Sequence, residues 1–190
     1  MELISLGFGA VLVSNVLLSQ FLGICSFVGV SKKRSSAVGM SFAVLFVLIM
    51  SSTITWMINH WILIPLDIQF LYLIVFILVI ASLVQFLELV LKKYVPSLYK
   101  VLGIYLPLIT TNCAILGVCT TSMIQDYTFA QTLIYALGIG LGYLLVMFLF
   151  SAIREKIETA PIAKPFKGVA IALVIAGFMA MAFAGFAGIF

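Results

Sequence analysis

The chain has 190 residues, of which 65% are hydrophobic and only 8% charged, and its mean hydropathy is +1.33. Soluble globular domains carry about a quarter charged residues, so a soluble enzyme is excluded, and the net charge of +4 does not signal nucleic-acid binding. Apolar runs long enough to cross a bilayer of roughly 30 Å recur along the whole length, which makes residues 1–190 a single all-α integral membrane domain.

Segment one, residues 3–30, carries a polar stripe of Ser14, Asn15, Ser19 and Gln20, followed by Gly23 and Cys25. It exceeds the ~20 residues needed to span, so it is tilted or broken, and Gly23 is the expected break. The first positive residue is Lys32; without a basic region ahead of the first apolar run, no cleaved signal peptide is expected. Segment two, residues 37–57, is uniformly apolar in character and returns across the membrane. Trp56 and Trp61 suit an aromatic belt at the interface, with His60 as an interfacial side chain and Pro65 and Asp67 in an exposed turn.

Segment three, residues 70–91, ends in Gln85, Glu88 and the Lys92-Lys93 pair. Glu88 and Lys92 are spaced as an i,i+4 ion pair; the alternative is a buried carboxylate on an ion path. Segment four, residues 101–123, contains GIYLPLITTNCAILGV at 103–118. A plain spanning helix has no use for Pro107, or for Thr110, Thr111, Asn112 and Cys113 in succession. Proline removes a backbone donor and clashes one turn back, so the helix is expected to break at Pro107. In hydrocarbon, such a break survives only where protein or a lined cavity satisfies the freed groups. Segment five, residues 129–153, has Gly138 and Gly142 as a small-xxx-small pair for close helix packing. Segment six, residues 169–190, is rich in Gly and Ala for the same purpose.

All ten positive residues fall in three clusters, around Lys32, Lys92 and Arg154, each after an odd-numbered segment. By the positive-inside rule those loops are cytoplasmic and both termini extracytoplasmic. Six spans then divide into two halves of three, residues 1–96 and 97–190. Cys25-Ser-Phe-Val-Gly29-Val30 and Cys113-Ala-Ile-Leu-Gly117-Val118 share the pattern C-x-x-x-G-V at matching places in these halves. Related halves with an odd number of spans are inverted relative to each other. In such folds, the site lies near the midplane between discontinuous helices one and four. The fold expected is therefore six transmembrane helices in two inverted three-helix repeats, with helices 1 and 4 broken near the midplane.

Cys25 and Cys113 are the reactive atoms of that site. Cys119, without a repeat counterpart, reads as an apolar filler. A Cys25–Cys113 disulfide would explain neither the broken helices nor the polar neighbours. Two thiolates do not close a metal site by themselves, since iron–sulfur clusters want four cysteines and structural zinc wants four ligands. Any metal centre here takes half its ligands from another chain. The shortage of histidine disfavours haem. Gly23, Asn15, Thr110, Thr111, Asn112, Gly117 and Glu88 are candidates for the surroundings of the cysteines or for an ion path.

LGICSFVGVSKK at 22–33, LGIYLPLITTNCAILGV at 102–118 and AIREK at 152–156 resemble the A-type member of the Rnf complex, an ion-translocating ferredoxin:NAD⁺ oxidoreductase. They also resemble the paralogous E-type member of the sodium-translocating NADH:quinone oxidoreductase, but Thr110-Thr111 and NCAILGV favour the Rnf side. Ser26 stands where many members have proline, which leaves the backbone after Cys25 less predictable. The resemblance implies a [2Fe–2S] cluster held between this chain and a homologous E-type subunit in opposite orientation, with Cys25 and Cys113 as two of its ligands. It also implies electron transfer across a bacterial or archaeal cytoplasmic membrane, coupled to sodium or proton export. Further partners would be the D- and G-type flavoproteins, which carry the flavins, and the cytoplasmic B- and C-type subunits. A secondary transporter or ion channel is the rival from another class, with Asn15, Thr110, Thr111 and Asn112 as sodium ligands; a pure scaffold is a third.

Overall fold

The computed structural model describes residues 7, 9–11, 16–31, 34–66, 69–94, 106–158 and 168–185. Among the described residues there are helices and turns and no strand. After helical residues 7 and 9–11, the first segment gives α1 (Val16–Ser19) and α2 (Ile24–Val30). Then come α3 (Arg34–Ile58), α4 (Tyr72–Tyr94), α5 (Leu106–Thr110), α6 (Cys113–Ile124), α7 (Phe129–Glu158) and α8 (Val169–Ala184). Arg34–Leu63, Tyr72–Val90, Pro107–Ile124 and Phe129–Ile157 are long and apolar enough to cross a membrane, and α8 is a shorter apolar helix. In chain order the described elements are a broken segment, two long helices, a second broken segment, a long helix and a shorter one. Asn15, Asp67 and the expected boundary between two repeats at 96–97 lie outside the described residues.

The first segment breaks where the sequence indicates, at residues 20–23, ahead of α2. The fourth does not break at Pro107. That proline lies inside α5, and the interruption falls at Thr111 and Asn112. The physical reason is positional. Proline is tolerated in a first helical turn, where its missing donor has no partner to lose, while Asn112 is a strong N-cap that starts a new helix. Its backbone is extended (φ −73°, ψ 109°) and its side chain accepts from Ala114 N, which satisfies one of the orphan donors of α6.

The long helices α3 and α7 form the centre of the bundle. Ala37, Met40, Val44 and Val47 of α3 share a buried core with Val146, Met147 and Phe150 of α7. Glycines set the closest approaches: a Cβ on Gly140 would sit 2.7 Å from Leu45 Cδ1, and one on Gly138 would sit 2.9 Å from the Gly7 carbonyl oxygen. Such backbone proximity is what small residues permit between helices in lipid. Segment two is less uniform than its composition suggests. Ser41, Ser51, Ser52 and Thr55 are buried. The hydroxyls of Ser41, Ser51 and Thr55 donate to carbonyls one turn back, on Ala37, Val47 and Ser51, so burial leaves these protons paired. Beyond Ile58 the helix widens into a π turn, Asn59–Leu63.

Arg34 and Glu155 form an ion pair that joins the start of α3 to the end of α7. Arg154 departs from the role its cluster suggests. It is not a solvated loop charge but is 4% exposed, donating to Val28 O and to Ser31 Oγ, both at 2.7 Å. The last carbonyls of α2 lack intrahelical donors, and a guanidinium supplies several in a fixed fork.

Candidate functional site

Gly23 is the pivot of the site. It holds φ 90°, ψ 16°, a left-handed conformation, directly before α2, and Phe21 nearby also has positive φ, 55°. Only glycine takes such angles without steric cost. Space imposes the same choice: a Cβ on Gly23 would stand 3.2 Å from Asn112 Oδ1, 3.4 Å from Ala114 Cβ and 3.6 Å from Tyr143 Cε2. The two breaks are thus packed against each other, with the middle of α7 beside them.

That packing joins the cysteines. Gly23 N donates to Cys113 Sγ at 2.8 Å, across 90 residues of sequence, and Cys25, two residues after Gly23, lies close enough to Cys113 for the two thiols to influence each other electrostatically. Both are free thiols; Cys25 is exposed and Cys113 half-buried. Cys113 opens α6 and Cys25 lies in the first turn of α2. The positive ends of two sets of peptide dipoles therefore converge on the sulfur pair.

Ser26 resolves the uncertainty left by the absent proline. It lies within α2, donates to Gly23 O at 2.9 Å, and its hydroxyl bonds Tyr143 Oη at 2.8 Å. Buried Ser26 and Tyr143 tie the first break to α7, a role that sequence reasoning did not assign to Tyr143. The signal for it was the second of the two tyrosines of segment five, set between glycine and leucines, whose hydroxyl needs a partner when buried. Arg154 was missed in the same way, since its cluster of charges hid its burial.

The other candidates separate. Asn112 is 3% exposed, with Oδ1 spent on the cap and Nδ2 lacking a protein partner. Thr111 is exposed and donates to Pro107 O at 3.0 Å, while Thr110 is half-buried in α5. Gly117 is a packing position: a Cβ there would meet Leu22 Cδ1 at 2.6 Å. Glu88 stands half-buried on α4, a turn before the exposed Lys92 and Lys93. Cys119 is buried, with Ser52 Oγ 4.0 Å from its sulfur. Among the described residues, His, Cys, Asp and Glu form no group of three or more suited to hold a metal.

A family model described as "Rnf-Nqr subunit, membrane protein" matches residues 3–190. The chain belongs to this Rnf-Nqr family. It is also similar to bacterial proteins named as the A component of an ion-translocating oxidoreductase complex. That of Pseudoalteromonas translucida is 51% identical over 188 residues, covering 99% of this chain and 97% of the relative. That of Photorhabdus laumondii is 52% identical over 181 residues, 95% and 94% of the two chains. That of Erwinia tasmaniensis is 51% identical over 188 residues, 99% and 97%. The cysteine pair thus belongs to a membrane subunit of the Rnf-Nqr type.

Proposed function

We propose that this chain is the A-type subunit of an Rnf complex. In this reading, Cys25 and Cys113 hold one half of a [2Fe–2S] cluster, and a homologous E-type subunit in opposite orientation supplies the other two thiolates. The observation that carries this is the pairing of two free thiols at two facing helix breaks, one sulfur exposed and the other half-buried. The residues fit the group. Cysteine thiolates are the ligands that [2Fe–2S] clusters use, and the cluster wants four, so two convergent cysteines open to the surface supply half a site.

When bound, the cluster supplies one-electron chemistry inside the membrane. This chain's own residues do the positioning. Gly23 N–H donates to the Cys113 sulfur and so offsets negative charge there, as hydrogen bonds to cluster sulfurs do in setting potentials. Ser26 and Tyr143 lock the Cys25 turn against α7. Arg154 anchors the far end of that turn. The subunit relays electrons between cytoplasmic and outer flavoprotein partners in a ferredoxin:NAD⁺ oxidoreductase, coupled to sodium or proton transport. It lies in the cytoplasmic membrane with both termini outside.

The test is electron paramagnetic resonance of the reduced, purified complex. A [2Fe–2S] signal that disappears in Cys25→Ser and in Cys113→Ser, with subunit composition unchanged, is the expected result. Cys119→Ser should retain it. Persistence of the signal in the Cys25→Ser, Cys113→Ser double variant would refute the assignment, as would a full cluster on this chain purified alone.

A further inference from the structure

At the end of the bundle opposite the Arg34–Glu155 pair lies a cavity of about 210 Å³, lined from α3, its π turn, α6 and the start of α7. None of its lining residues takes part in the geometry at Gly23. Two of its hydroxyls have no proton left to give. Thr55 Oγ1 donates to Ser51 O at 2.7 Å and Ser122 Oγ to Val118 O at 2.9 Å. Each hydroxyl proton is thereby spent within its own helix, and oxygen lone pairs are what remain for the cavity. Asn59 Oδ1 and Thr132 Oγ1 are buried with no hydrogen-bond partner in the protein, and Thr132 is only 3% exposed. Buried polar atoms in native proteins almost always have a partner, and exceptions point to a bound water or ion.

Two further features belong to the same place. Asn59 is the first residue of the π turn, an irregularity that concentrates at functional sites. Asp126 lines the cavity from an exposed turn, with φ of 49°. The turn is held in position by Trp56 Nε1, which donates to Tyr127 O at 3.0 Å. His60, the basic side chain of the lining, is exposed and stacks on Trp56.

We infer that this cavity binds a partly hydrated monovalent cation of the sodium class, with Asn59 Oδ1, Thr132 Oγ1 and the Asp126 carboxylate as its protein contacts. Carbonyl, hydroxyl and carboxylate oxygens are the ligands of hard cations. A single carboxylate balances a single charge, whereas a divalent ion would call for more. The volume accepts several waters at about 30 Å³ each, so the ion keeps part of its shell and need not be fully stripped. The site goes beyond the cysteine pair and stands whether or not that pair holds iron. It is nevertheless connected to it: α6 begins at Cys113 and reaches the cavity at Cys119, about 9 Å along one helix.

Equilibrium binding of radioactive sodium to the intact purified complex, with choline as the balancing ion, tests the site. Thr132→Val keeps shape and removes the unpartnered oxygen; Asp126→Asn removes the charge from an exposed turn and leaves the core untouched. Each is expected to remove one sodium equivalent per complex or to weaken it at least ten-fold, while the paramagnetic signal of the reduced complex stays as in the parent. Lithium should displace the bound sodium. Unchanged sodium stoichiometry and affinity in both variants would overturn the inference and leave water as the occupant. Should Thr132→Val fail to assemble, Asp126→Asn alone decides.

Discussion

Gly23→Ala is the substitution that most directly tests how the two breaks hold the cysteines. With φ at 90°, an L-residue costs roughly 1–2 kcal/mol in backbone strain. The new Cβ would also stand 3.2 Å from Asn112 Oδ1 and 3.4 Å from Ala114 Cβ, so Asn112 must give way. Disturbing its cap on α6 costs about another 1 kcal/mol. The sum is about 2–3 kcal/mol, or roughly 30- to 150-fold in the population of the intact arrangement, since about 1.4 kcal/mol is tenfold. Gly29→Ala is the matched control. Gly29 lies in the interior of α2, and its nearest neighbour to an added Cβ is Leu108 Cδ1 at 3.7 Å, so alanine there should be neutral or stabilise by about 0.5–1 kcal/mol. The assay is the fraction of complex remaining monodisperse after graded heating, together with the labelling rate of Cys113 by a maleimide. Gly23→Ala should lower the midpoint and speed labelling, because the Gly23 N–H to Cys113 Sγ bond is displaced. Equal behaviour of the two alanine variants would refute the argument from φ and contact distance.

Two other predictions concern charge. Arg154→Met should destabilise the protein by about 2–3 kcal/mol, since it strips a buried charged donor from Val28 O and Ser31 Oγ; a thermal midpoint equal to that of the parent would contradict the anchoring role. For orientation, a single cysteine at exposed Gln125, in a variant without native thiols, should react with an impermeant maleimide added outside. One at exposed Arg34 should not; the reverse pattern would invert the proposed topology.

Much of this fold is legible in the amino-acid order because lipid imposes a simple condition. Backbone groups must be satisfied within each segment, so apolar run length alone marks where the helices lie, and α3, α4 and α7 follow it closely. The helix breaks are legible for the same reason, since Gly23 and the Thr-Thr-Asn-Cys stretch make no sense in an uninterrupted span. The exact place of the second break is less so. Pro107 is the conspicuous residue, yet a proline in a first turn costs little, and the quieter Asn112 cap decides where α6 starts.

Tertiary structure alone decided the rest, because it concerns partners distant in sequence. That Gly23 N–H reaches Cys113, that Ser26 meets Tyr143, and that Arg154 turns inward to the end of α2 follow from how α7 packs beside both breaks. No local pattern encodes these pairings. The cavity is of the same kind: its serines, threonines and Asn59 read individually as ordinary polar residues on apolar helices. Segment length and composition determined that this chain crosses a membrane in broken and unbroken helices. Helix packing determined which buried oxygens, sulfurs and charges face one another, because a side chain's partner in the bilayer comes from whichever neighbouring helix approaches closely enough to supply it.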